Sequence, residues 1–300
     1  MSASGYDRDI TVFSPEGILY QVVYTFKAVK TAGITSFAIK GKDCVVVLSQ
    51  KKVSDALCDA SYVKFVHSVT KNVYMLVTGR QADGKAILMS ARSMANEFQN
   101  DYGYEIPAQL LAQKIADKNQ AATQEAWRRP LGVSCVLFSS LPPPAVSVDE
   151  EEPVSGIPVM YHVDPAGFFS SVVAMSMGTK DSEGCTYLER VMRARKERQK
   201  KEAKRRQKEE RKEEEEEEEK GEKRDMEDEE EEEDMEVQEG VFGELTAEKC
   251  CFILLSTVHY VLGEGVKASD VEMYVCDKDG LKRKTDSEVD DLLGVIAESE

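Results

Sequence analysis

The 300-residue chain has little of what most catalytic sites are built from. It holds three histidines and one tryptophan. His67, His162 and His259 each stand alone in an apolar stretch, where a packed neutral imidazole is expected rather than a metal ligand. The sequence contains no GxxxxGK[ST] phosphate loop, no GxGxxG after a strand, no GxSxG elbow and no HExxH. No metal and no other cofactor is expected. Carboxylates are plentiful, but most lie in solvated runs, and no pair is isolated in a way that would separate its two pKa values. The seven cysteines are Cys44, Cys58, Cys135, Cys185, Cys250, Cys251 and Cys276. They are odd in number, form no CxxC and sit mostly in apolar runs, as small buried hydrophobes of a reducing compartment do. The longest strongly apolar run, Cys250–Leu262, is shorter than the about 20 residues that span a bilayer and reads as a buried helix. The opening MSASGYDRDI lacks the apolar stretch of a secretory signal. No membrane contact is expected, and the chain reads as soluble and intracellular.

Basic residues are also in deficit: 39 Lys and Arg stand against 56 Asp and Glu, a net charge of −17. An acidic chain is a poor ligand for nucleic acid, whose phosphates need a basic surface. The imbalance is concentrated. Residues 190–212 carry 13 basic and 4 acidic side chains, and residues 213–239 carry 3 basic and 19 acidic ones. The span 190–239 therefore reads as a charged low-complexity insertion. Its basic half is made of strong helix formers and can extend a preceding helix. Its acidic half repels itself, contains Gly221 and is expected to be disordered. A tolerated solvated insertion, a docking tail and a nuclear-import signal in KKEAKRRQK (residues 200–208) remain open readings of this span.

Outside the insertion, the periodicity gives a mixed chain. Ile10–Phe13 is β-like, and Ser14-Pro15-Glu16-Gly17 is a turn that can open a helix. Leu19, Val22, Val23, Phe26 and Val29 recur at helical spacing, and the helix is expected to stop at Gly33. Strands are predicted over Ile34–Ile39, Cys44–Leu48, Val63–Val69 and Val73–Thr78, then helices over Ala86–Phe98 and Pro107–Gln124. Further strands are predicted over Gly132–Ser140, Val159–Val163 and Phe168–Met175, with residues 142–156 as a loop. A helix starts near Asp181 and runs into the insertion. Beyond it come a helix over Thr246–Leu262 with Thr246 as N-cap, a strand over Glu272–Cys276, a turn at Gly280 and a helix over Asp286–Glu298. Grouped strands with paired helices argue against a doubly wound parallel sheet. They predict an α+β fold, a four-layer α/β/β/α sandwich of two stacked antiparallel sheets.

One enzymatic reading follows from position. Thr35 opens the first strand, where a threonine-nucleophile hydrolase would carry its nucleophile. Such an enzyme needs the free α-amino group of that residue as base, so residues 1–34, including an amphipathic helix, would have to be removed.

Several segments carry a resemblance. Tyr6–Tyr24, YDRDITVFSPEGILYQVVY, resembles the N-terminal signature of α-type subunits of the 20S proteasome. Gly41-Lys42-Asp43-Cys44, Gln50-Lys51-Lys52-Val53, Thr78-Gly79-Arg80-Gln81-Ala82-Asp83, Tyr102–Pro107, Arg129-Pro130-Leu131-Gly132 and Asp164-Pro165-Ala166-Gly167 follow in the family's order. The similarity covers nearly all of 5–188 and 241–300, and within the family FKAV, GKDC, QKKV and YGYEIP are most similar to the eukaryotic α1 branch. The resemblance implies residues 1–300 as one α-type domain of the N-terminal-nucleophile hydrolase fold, non-catalytic, seated in a seven-membered α ring beside the β subunits. It implies that residues 1–17 form a gate segment at the pore, that Tyr6, Asp7, Pro15 and Tyr24 hold the open gate, and that pockets between neighbours receive the C-terminal tails of activator particles. It also implies a cytoplasmic and nuclear location. The chain departs from the family pattern at Ile18 and Val23, where the family carries Arg and Glu. It departs again at Phe65, which aligns with the lysine that binds the activator's terminal carboxylate. Lys64 is one residue away, and a one-residue shift on a strand reverses side-chain direction. Gln50 stands where catalytic relatives carry Asp.

Overall fold

The computed structural model describes residues 5–53, 57–140, 158–197, 201, 245–263 and 265–299. The loop at 142–156, most of the charged insertion and the first four residues of the gate segment lie outside the described residues.

Ten strands build two antiparallel five-stranded sheets. The first sheet has the order β10-β9-β2-β1-β8. Its strands are β1 (Thr35–Lys40), β2 (Val45–Gln50), β8 (Ala174–Gly178), β9 (Val271–Asp277) and β10 (Gly280–Arg283). The second sheet has the order β3-β4-β5-β6-β7, from β3 (Val66–Ser68), β4 (Tyr74–Gly79), β5 (Val133–Ser139), β6 (Val159–Val163) and β7 (Phe169–Ser171). Helices α2 (Gln81–Tyr102) and α3 (Ala108–Ala122) cover the outer face of the second sheet. A helix over 181–197, α4, lies with α5 (Ala247–Leu262) and α6 (Asp286–Ser299) on the outer face of the first. Helix α1 (Tyr20–Thr31) closes one end, touching β4, β5 and β8. The four-layer sandwich expected from the sequence is present.

The central strands are apolar on both faces because both faces are covered. Successive side chains point to opposite sides of a strand. Phe37, Ile39, Val46 and Leu48 therefore pack under α4, α5 and α6, while Ala38, Val45 and Val47 face the second sheet. In β4 and β5, Met75, Val77, Cys135 and Leu137 meet α2 and α3, and Leu76, Val136 and Phe138 face inward. The same burial acts on two of the imidazoles. His67 and His162 are held below the ordinary histidine pKa, chiefly by desolvation, and His162 shares a 2.7 Å hydrogen bond with the Ser134 hydroxyl.

Several predicted boundaries move, each for a tertiary reason. Phe168–Met175 is two strands in different sheets. The Val172 N–H still bonds to Met160 of the second sheet, whereas the Lys40 N–H bonds to the Val173 carbonyl, so the chain changes sheet between 172 and 173. Strand β3 is shorter than Val63–Val69 because the Phe65 N–H is taken by the Glu272 carboxylate at 3.1 Å. Gly280 opens a tenth strand, β10, that the sequence pattern shows only as a turn. Ile10–Phe13 forms turns and irregular chain instead of a strand. Helix α2 begins at Gln81, five residues before the predicted start, and Pro107 is the N-cap of α3 and not its first turn. Thr246 is at the N-cap position of α5 but makes no side-chain capping bond. The predicted face of α6 holds, with Val289 and Ile296 buried and Leu292 and Leu293 packed beside them. Its first turn is closed reciprocally: the Thr285 N–H donates to Glu288 Oε2 at 2.8 Å, and the Glu288 N–H to Thr285 Oγ1 at 3.4 Å.

Candidate functional site

The N-terminal segment turns at Ser14 and folds back along α1. The Gly17 N–H donates to the Ser14 carbonyl at 2.8 Å, and the Ser14 N–H donates to the Ile18 carbonyl at 3.0 Å. Ser14 Oγ accepts the Ile18 N–H at 3.2 Å. Pro15 presets the second position of this turn, and Gly17 has φ +74°, where a side chain would be strained. Upstream, Ile10 is buried and anchors the returning chain. The Gln21 amide donates to the Asp7 carbonyl, and the Tyr24 hydroxyl reaches Asp7 Oδ2 at 3.4 Å. Burial, then the Asp7 charge, hold the Tyr24 phenol above its ordinary pKa, so it remains a donor. Of the four gate candidates, the structure joins Asp7 and Tyr24 by a hydrogen bond. Tyr6 and Pro15 are exposed and stand outside that bond.

The surface around this turn is apolar. Val12, Phe13, Ile18, Val23 and Phe26 are all exposed, Phe13 by 62%. Both departures from the family pattern, Ile18 and Val23, thus stand on an open face and not in the core. Val12, Phe13 and Ile18 flank the turn, and Val23 and Phe26 follow on α1.

Thr35 is the opposite case. Its side chain is 1% exposed, and its Oγ1 accepts the Lys180 N–H at 3.4 Å. The preceding residue is pinned: the Ile34 carbonyl accepts the Thr179 N–H at 3.1 Å. Gly178 passes so close that a side-chain β-carbon there would sit 2.0 Å from the Ile34 oxygen. Upstream, Thr25, Val29 and Ile34 are buried. The nitrogen of Thr35 is a strand amide behind a packed helix. It is not the free amine that a threonine nucleophile requires.

A groove of about 370 Å³ opens between β3 and the start of α2, lined among others by Tyr62, Lys64, Phe65, His67, Gln81 and Lys85. Phe65 is buried, its N–H held by Glu272 and its carbonyl accepting the Val77 N–H at 2.9 Å. Glu272 is itself buried and accepts the Tyr274 hydroxyl at 2.8 Å. Lys64 is exposed on the groove wall, so the one-residue offset does reverse direction here. With Phe65 turned inward, Lys64 and Lys85 are the ammonium groups available to an anion in this groove.

The wall formed by α2 is fixed by two of the sequence motifs acting on each other. Asp83, buried in the first turn of α2, takes a bidentate bond from Arg129 at 2.6 and 2.7 Å and the Gly132 N–H at 2.8 Å. The guanidinium bond is the main reason its carboxyl lies below the ordinary aspartate pKa. The Arg80 N–H bonds the Gly132 carbonyl at 3.0 Å. A side chain at Gly79 would meet that oxygen at 2.4 Å, and φ there is +134°. The sequence displays both motifs, but only the tertiary contact reveals that they are partners. The one local signal is an acidic residue in a first helical turn. Asp164-Pro165-Ala166-Gly167 is likewise a turn, with Asp164 Oδ1 accepting the Ala166 and Phe168 N–H groups. Among the described residues no group of three or more metal-ligating side chains is found, and no helix is long and apolar enough to cross a membrane.

Two family models match this chain. The proteasome subunit model covers residues 29–208. The model of the N-terminal signature of A-type proteasome subunits covers residues 6–28, the turn and helix just described. The chain belongs to the α-type proteasome subunit family. A probable alpha type-1 proteasome subunit of Schizosaccharomyces pombe is 47% identical over 188 residues, 63% of this chain and 72% of that protein. The alpha type-6 proteasome subunit of Caenorhabditis elegans is 37% identical over 196 residues, 65% and 75% of the two chains. A proteasome alpha subunit of Saccharolobus islandicus is 32% identical over 189 residues, 63% and 73%. As an α-type proteasome subunit the chain is a non-catalytic structural and gating component of the 20S core, which agrees with the buried, blocked Thr35. The active threonine hydrolase considered from position alone is set aside by both the family and the packing of α1.

Proposed function

We propose that this subunit occupies the α1 seat (alpha type-6 in the other nomenclature) of a seven-membered α ring, where it controls substrate entry and activator docking in ubiquitin-dependent protein degradation. The observation that carries the reading is the N-terminal segment in front of β1, folded back on α1 through Asp7 and Tyr24. The α1 seat is supported by the FKAV, GKDC, QKKV and YGYEIP segments. Sister α subunits lie against the apolar surface around Phe13, Ile18 and Val23, which replaces a charged contact with a hydrophobic one. The β subunits take the opposite ring face. Residues 1–17 act as the gate segment, with Tyr6, Asp7, Pro15 and Tyr24 as the cluster that steadies its open form. The groove beside Lys64 takes an activator tail's terminal carboxylate, with Lys64 and Lys85 supplying the charge that Phe65 cannot. The protein is cytoplasmic and nuclear, the second location drawing on residues 200–208.

Native purification through a C-terminal tag, with mass spectrometry of the particle, tests this. The expected result is co-purification with six other α-type and with β-type subunits, the N-terminus retained ahead of Tyr6. A mature chain starting at Thr35, or a monomer in solution, overturns it. Tyr24→Phe and Lys64→Ala then separate the roles. The first should change peptide hydrolysis by the particle without activator, and the second only the stimulation an activator adds. Deleting 200–208 should lower the nuclear fraction of a fluorescent fusion, and an unchanged distribution rejects the import role.

A further inference from the structure

We propose that Cys44 and Cys250 form an oxidisable pair, a peroxide-sensitive staple between the β1–β2 hairpin and the first turns of α5. The geometry begins at Gly41. Its missing side chain leaves a space into which both sulfurs project: a β-carbon there would lie 2.8 Å from Cys44 Sγ and 3.0 Å from Cys250 Sγ. Both sulfurs thus lie within 3.0 Å of one point above Gly41, and Cys250 Sγ also reaches the Leu245 carbonyl at 4.0 Å. Both belong to the core under α5, with Cys44 4% exposed and Cys250 fully buried. Cys251 and Cys276 also have Cys44 as a neighbour, but the sulfurs nearest the space above Gly41 are those of Cys44 and Cys250. Cys251 is one residue on along the helix, rotated by roughly 100°, toward Lys284 and Glu288. Cys276 faces the other sheet, its sulfur 3.3 Å from Ser140 Oγ. Cys135 lies in the core under α2 and α3.

The pair is also polarised. The proximity of Cys250 holds the Cys44 thiol below its ordinary pKa, while Cys44 and burial push Cys250 up. Cys44 is also the more exposed sulfur of the two, at 4% against none for Cys250, and is the one that meets a peroxide. Its thiolate attacks one peroxide oxygen, the O–O bond breaks, and the departing hydroxide takes up the proton that the Cys44 thiol released, so that a sulfenic acid and water result. Cys250 sulfur then attacks Cys44 Sγ and expels the hydroxyl, which leaves as water with the Cys250 proton. Two thiols are oxidised to one disulfide and one hydrogen peroxide is reduced to two waters. A thiol reductant reverses the step.

The consequence lies at the root of the charged insertion. The chain returns from it through Leu245, which is fully buried and whose carbonyl accepts the Lys42 N–H of the same hairpin at 3.0 Å. In the thiol form this root is held by packing and backbone bonds. In the disulfide form it is covalent, and the loop it closes contains the whole insertion.

The test uses the full-length chain treated with graded hydrogen peroxide, then denatured, alkylated and mapped by peptide mass spectrometry. Cys44 and Cys250 should lose alkylation together and in equal amount, and appear as one linked peptide pair that dithiothreitol separates. The oxidised chain should melt a few degrees higher than the reduced one. In Cys250→Ala, dimedone should trap a sulfenic acid on Cys44. If that variant does not fold, the peptide map of the parent chain decides alone. Cys44 and Cys250 still alkylatable when exposed Cys58 is oxidised, or Cys44 linked to Cys251 or Cys276, overturns the proposal.

Discussion

The two ends of α1 are held very differently. At its C-terminal end, Ile34 and Thr35 are buried, the Ile34 carbonyl is bonded, and Gly178 lies against it with no room for a methyl group. At its N-terminal end, beyond the Ser14 turn and buried Ile10, the first described residues are tied back by the Gln21 amide and one long Tyr24–Asp7 bond, beside exposed apolar side chains. A protein can keep one segment immobile and leave another to be completed by a neighbour by varying how much of each is buried, since a partly exposed hydrogen bond contributes only about 0.5–1.5 kcal/mol. The tight end denies the fold a free threonine amine. The loose end presents the surface on which a ring neighbour can act.

The sharpest way to break this contrast is at Gly178. Gly178→Ala places a methyl group against the Ile34 oxygen at φ +108°, and should cost about 3 kcal/mol or more, read as loss of soluble folded chain or a large fall in melting temperature. An unchanged melt would mean that the two backbones are not locked. Next in size, Leu254→Ala removes a fully buried side chain of α5 and should cost about 2–5 kcal/mol in denaturant unfolding, a loss the exposed Phe13→Ala should not match in the isolated chain.

Asp83→Asn comes third. It should cost about 1–2 kcal/mol at neutral pH, reduced because Arg129 is well exposed. The sign with pH follows from the lowered carboxyl: the stabilisation is complete above the unfolded aspartate pKa of about 4 and is lost as pH falls through the lower folded value. The gap between parent and variant should therefore close on acidification, and a gap constant with pH would deny the ion pair its role. Tyr24→Phe should shift the melt of the isolated chain by no more than about 0.5 kcal/mol, its effect being confined to the assembled particle. Smallest, Ser176→Ala removes a buried hydroxyl that has no hydrogen-bond partner among the described residues and should be neutral or stabilising by up to about 1 kcal/mol. A clear loss would reveal a partner for that hydroxyl.

The same contrast explains what could be read in advance. Helices α1, α3, α5 and α6 and the paired strands β1 and β2 were legible because an apolar face with a fixed period is a local property. The split of Phe168–Met175 between two sheets was not, since a β-branched run carries no mark of which sheet each half will join. Strand β10 was hidden by Gly280, which reads as a turn until Asp277 stands opposite it and Cys276 opposite Leu281. At the site, Tyr6, Asp7, Pro15 and Tyr24 were implied by the family resemblance, which does not say that, of the four, Asp7 and Tyr24 are the two joined by a hydrogen bond. The Asp83–Arg129 lock spans 46 positions and is invisible to any local window.

The sequence alone determined the layers, the family and the absence of familiar catalytic motifs, because each depends on residue types at short, regular intervals. Only the tertiary structure decided that Thr35 is sealed, that Phe65 turns inward and leaves Lys64 on the groove wall, and that two distant cysteines share the space above Gly41. Those outcomes depend on which segments meet across the sandwich, and burial is a property of the meeting and not of either segment.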